Sequence, residues 1–128
     1  MNAMHALVAQ RMRTPFAWGV HDCCLWAADA VHAQTGVDPA QAWRGRYGTA
    51  REALRLLAEL GGLRAVASTA GDPIQPLAAR EGDIGLLQRP DRELLAVCAG
   101  EEWLAPGPTG LVPVPLDTAI AAWRVARG

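Results

Sequence analysis

Asp22, Cys23 and Cys24 stand in a row within PFAWGVHDCCLWAADAVHAQTG, residues 15–36, where the pattern sets a helix to begin. A cysteine in that place has three roles open to it: nucleophile, metal ligand or packing. The unpaired N–H groups and the dipole at a helix start favour an anion. They lower the pKa of a thiol and raise the share of thiolate, its nucleophilic form. With Asp22 as the N-cap, Cys23 falls in the first turn and Cys24 points about 100° further round. Cys23 is then the candidate for chemistry and Cys24 for packing, and a start one residue later exchanges the two. Packing competes for Cys23 too, because free Cys is among the most buried residue types.

A thiolate acyl-transfer site also needs a base within hydrogen-bond reach and a group that orients it. The chain has three histidines, His5, His21 and His32. His21, two residues before Cys23, is the candidate base on local grounds, and it reaches the thiol only through a special backbone turn. His32 follows Cys23 by nine residues, about 13 Å of helical rise, which is too far. His5 reads as a surface residue of an earlier helix. Cys23, Cys24, Cys98 and His21 combine into a metal site on paper alone, since zinc sites use spaced rather than adjacent cysteines. No metal and no cofactor are expected. Three cysteines, two of them adjacent, make a poor disulfide framework and are expected to stay reduced.

The elements that position these residues are legible in outline. Residues 3–13 read as a short helix capped by Asn2. Residues 23–34 form the firmest helix of the first half, stopped by Gly36. Thr49 and Glu52 make a capping box for a helix with an apolar stripe at Leu54, Leu57 and Ala58, ended by Gly61-Gly62. Phe16 and Trp18 in TPFAWG read as buried. ASTAGDPIQPLAAREGD, residues 67–83, is turn-rich. Short β-like runs follow: IGLLQ, ELLAVCAG, EWLAP, GLVPVP and AAWRVA. Helices first and strands after predict an α+β fold, with N-terminal helices packed on a small C-terminal antiparallel sheet or half-barrel. The 128 residues fit one domain, 1–128.

The net charge is −1, and all twelve basic residues are Arg with no Lys. Near-neutrality implies no general attraction to nucleic acid, and the absence of Lys reads as a GC-rich coding genome. No apolar run approaches the ~20 residues that span a bilayer, and the N-terminus lacks the features of a secretory signal.

WGVHDC resembles the W-G-x-x-D-C opening of NlpC-type cysteine peptidases of the papain-like group. EGDIGLLQ and LLAVCAG are similar to that family's G-D-L-V-F-F and H-V-G-I-Y-x-G strands. Taken in order, TGVDP, RGRYG, LGG, EGD, AVCAG and AAWRV make the whole chain resemble a compact NlpC-like family of phage and prophage tail gene clusters. The resemblance implies an NlpC/papain-like fold with Cys23 as nucleophile. It also exposes a departure: the family's base is the His of H-V-G-I, and the matching position here is Leu94 or its neighbour. No His follows His32. The expectation is therefore a pseudoenzyme, a tail-tip, baseplate or tail-assembly protein whose partners are other tail proteins. It would reside in the bacterial cytoplasm during assembly and in the virion tail if incorporated. The alternative is an active cysteine peptidase or amidase that cuts peptidoglycan with Cys23.

Interface anchors are sought among Trp, Tyr and Arg, which dominate binding hot spots. Trp43, Arg44, Arg46 and Tyr47 in WRGRYG, and Trp103 in EEWLAPG, are the candidates. The proline-spaced APGPTGLVPVPL avoids a regular ladder, which suits an edge laid against another subunit and equally a plain exposed loop. Cys98 reads as an inward strand residue close to Cys23 in the NlpC-like layout.

Overall fold

The structure, a computed structural model, describes residues 2–126. Each long helix starts where a short polar side chain takes a free N–H. Asn2 Oδ1 accepts from the His5 N–H at the head of α1 (Ala3–Arg11), and Asp22 Oδ1 from Leu25 at the head of α2 (Cys23–Thr35). Thr49 Oγ1 accepts from Glu52 at the head of α3 (Ala50–Leu60), and Glu52 accepts in return from the Gly48 N–H and the Thr49 hydroxyl. α2 ends at Gly36, whose φ of 81° lies in the left-handed region that glycine occupies without a Cβ clash. The short α4 (Leu63–Ser68) follows α3 directly.

Six strands form one antiparallel sheet: β1 (Gly71–Ile74), β2 (Ile84–Gln88), β3 (Glu93–Cys98), β4 (Glu102–Gly107), β5 (Gly110–Pro115) and β6 (Ala119–Val125). Their order is β1-β6-β2-β3-β4-β5. The last strand thus returns to lie between the first two, and the sheet is open with β1 and β5 at its edges. The α+β class holds. β1 adds a strand inside the stretch that reads as turns, pairing Pro73 opposite Trp123 on an edge that tolerates proline. β5 pairs regularly with β4 despite Pro113 and Pro115, which corrects the expected broken ladder.

Alternation along the strands divides the apolar residues into two cores. Ile84, Leu86, Leu95, Val97 and Val125 face the helices and pack with Leu25, Trp26 and Ala30 of α2. Leu87, Ala96, Cys98, Trp103, Val114 and Ala122 form a smaller core on the other face. Trp103 is fully buried there, its Nε1 donating to the Leu116 carbonyl at 3.0 Å. A Cβ on Gly85 would lie 2.7 Å from that indole, so only glycine leaves it room. Two expectations are corrected: Trp103 is a core residue closed to any partner, and Cys98 faces away from α2 rather than toward Cys23.

Asp83 joins the first and last long strands. It is fully buried, accepting from Arg80 N (2.8 Å), Arg124 Nε (2.9 Å) and Val125 N (3.1 Å). Such pairing is what lets a carboxylate leave water. No helix among the described residues is long and apolar enough to cross a membrane.

Candidate functional site

The chain enters α2 through a tight turn in which the His21 N–H donates to the Ala17 carbonyl at 2.8 Å. Gly19 sits in the turn with φ 76°, and a Cβ there would fall 2.1 Å from the Tyr47 carbonyl oxygen. Glycine is needed twice over, for the backbone conformation and for the close approach. Asp22 then binds three separate groups: its Oδ1 takes the Leu25 N–H at 3.0 Å, and its Oδ2 takes the Gly19 N–H at 2.9 Å and the Tyr47 hydroxyl at 2.5 Å. The predicted cap is also the clamp between the entry turn, α2 and the segment before α3. Burial first, and the bond to Asp22 second, push the Tyr47 phenol far up, so it remains a donor.

α2 brings Cys23 and Cys24 to the floor of a cavity of about 220 Å³. α3 and α4 supply a wall of Leu56, Leu57, Leu60 and Leu63, and Trp18 and Leu54 stand at the mouth. Cys23 is half-buried and Cys24 buried, as the helical offset predicts. The neighbouring Cys24 thiol lowers the Cys23 pKa; burial and the Asp22 charge oppose this, while the Leu95 backbone and the Arg92 charge add to it. The same contact, with burial, pushes the Cys24 thiol up. β4 pairs with β3 only at Val97–Leu104 and Cys98–Trp103, so the start of β3 is free of β4 where α2 meets it. Trp26 of α2 fixes the join by donating Nε1–H to the Leu104 carbonyl at 2.9 Å.

None of the three histidines lines the cavity. His21 is buried against Arg11 and Trp26, which removes it as the base. His5 pairs with Glu81 at 2.6 Å on the surface, and His32 lies exposed in the last turn of α2. On the facing strand the cavity meets Arg92, Glu93 and Leu94. Glu93 and Arg92 are exposed rim residues.

The expected interface anchors are mostly spent inside the fold. Arg44 binds Asp38 through two bonds of 2.9 and 3.0 Å and Asp29 through a third of 2.9 Å. Arg11 reaches the same Asp29 at 2.8 Å. This network pins the 38–47 segment to α2. Trp43 and Tyr47 are buried and contribute their flanks to the cavity wall. Arg46 is exposed like Arg44 and pairs loosely with Glu59 at 3.8 Å. The sequence reading missed the α3 leucines as a cavity wall. Their spacing (Ala53, Leu56, Leu57, Leu60) marks a helix face, but not that the face stays partly uncovered. Trp18, expected inside, is 41 % exposed, and Leu54, expected in the stripe, is 69 % exposed.

A family model described as Domain of unknown function (DUF6950) matches residues 1–125. No curated protein and no solved structure matches the chain.

Proposed function

The chain belongs to the DUF6950 family, and for it we propose a binding role: a catalytically silent NlpC-like domain that docks onto other proteins of a phage or prophage tail, at its tip or baseplate or during its assembly. The observation that carries this reading is the cavity over Cys23, which has a thiol at its floor and no imidazole in its lining. Peptide cleavage must deliver a proton to the departing amine, and general acid–base groups supply it. Asp22 cannot serve, because both its oxygens are engaged in capping and clamping. Glu93 lies at the exposed rim of the cavity rather than at its floor. The tail setting is supported by the ordered set of WGVHDC, TGVDP, RGRYG, LGG, EGD, AVCAG and AAWRV. The exposed Trp18, Val20 and Leu54 supply apolar surface for a partner.

A working peptidoglycan peptidase with Cys23 as nucleophile is the second reading, favoured by the lowered pKa of that thiol. Purified protein incubated with cell-wall fragments separates the two. We expect no released peptide, and particle assembly largely intact with Cys23→Ala. Peptide release that Cys23→Ala abolishes would establish the enzyme and refute the binding role.

A further inference from the structure

Amides and thioesters both yield to a thiolate, but they differ in what must leave. An amide expels an amine, which requires a proton. A thioester expels a thiolate, whose departure follows from its own low pKa. A site with a thiol at its floor and no imidazole in its lining to carry that proton therefore favours the second substrate over the first. The cavity indicates which acyl group. Its walls are largely apolar, with Leu56, Leu57, Leu60, Leu63 and Pro106 beside the flanks of Trp43 and Tyr47. Such walls take an aliphatic chain, at roughly fourfold in affinity for each methylene buried.

From this juxtaposition of floor thiol, apolar walls and missing imidazole, we infer that the protein is a fatty-acyl acceptor: Cys23 takes the chain from a fatty-acyl thioester and holds it in the cavity. The inference rests on the silent-site reading above and adds a ligand to it. The Cys23 thiolate bonds to the acyl carbonyl carbon, and the intermediate's oxyanion forms beside the N–H end of α2, which favours negative charge. On collapse the bond from that carbon to the donor sulfur breaks, and the donor leaves as a thiolate with the electron pair. One thioester replaces another, with no oxidant, reductant or proton donor consumed. Hydrolysis of the product needs a base positioned on the attacking water; no imidazole lines the cavity and Glu93 stands at its exposed rim, so the adduct persists.

The full chain is incubated with the octanoyl and acetyl thioesters of N-acetylcysteamine, and intact mass is followed over hours. We expect one octanoyl group per chain, mapped to Cys23 and lost with Cys23→Ser. It should form about tenfold or more faster than the acetyl adduct. Leu57→Gln should bring the octanoyl rate down toward the acetyl rate. If that variant does not fold, the chain-length ratio in the unaltered protein decides. Equal rates for the two donors, no adduct, or an adduct on Cys24 or Cys98 instead overturns the acceptor role alone. Rapid turnover with free octanoate accumulating overturns both that role and the silent-site reading.

Discussion

His21 holds one ring nitrogen satisfied and the other orphaned. Arg11 can only donate, so the 3.2 Å contact makes His21 Nδ1 the acceptor and leaves the proton on Nε2. That atom is buried without a hydrogen-bond partner among the described residues. Burial first, and the Arg11 charge second, hold the His21 pKa below its ordinary 6.5. The unfolded chain therefore binds a proton that the folded chain refuses, and stability falls as the pH drops below about 6.5. His21→Phe keeps a ring for the edge-to-face contact with Trp26 at 5.8 Å and removes both the orphan and the titration. We expect it to raise stability by about 1 kcal/mol, more at pH 5 than at pH 8, in thermal melts at both values. A larger loss at pH 5 than at pH 8 would refute this account. The sequence could place His21 near Cys23 but not orient it, because its partner Arg11 belongs to another helix. The Asp22 cap, by contrast, was legible because its acceptor and donor lie three residues apart.

At the scale of elements, one carboxylate decides how the entry turn, α2 and the 38–47 segment meet. Asp22→Ala loses a cap, worth about 1 kcal/mol, and leaves the Tyr47 hydroxyl buried without its acceptor, which adds about 1–3 kcal/mol. Denaturant titration should show a loss of about 2–4 kcal/mol for Asp22→Ala and a smaller one for Asp22→Asn, which keeps an acceptor oxygen. Equal losses would mean that the hydrogen bonds do not govern this junction. α2 and the cap of α3 were legible because caps, stops and apolar period agree over a dozen residues. α4 and β1 were not, since a six-residue helix and a four-residue edge strand with a proline carry too little period. Leu54 shows the same limit: the stripe was assigned to 54, 57 and 58, whereas tertiary packing selects 53, 56, 57 and 60.

Across the whole molecule, the order of helices before strands was enough for the α+β class. The sheet order was not legible, because β6 reaches its place between β1 and β2 by pairings that no local pattern encodes. The cavity was equally hidden, as it exists only where α2, α3 and the start of β3 converge. Its mouth carries the apolar surface that a docking protein would cover. Leu54→Glu should shift stability by less than about 0.5 kcal/mol, since the side chain is 69 % exposed, yet cut the capture of tail proteins from a phage-producing culture. Undiminished capture would move the docking face elsewhere.

Trp18 and Trp43 border the cavity, whereas Trp26, Trp103 and Trp123 do not. Two of the five indoles thus stand where an occupant would displace solvent, against a constant background from the other three. Emission from the unlabelled protein should shift to the blue as the cavity fills, so the molecule carries its own optical gauge of occupancy.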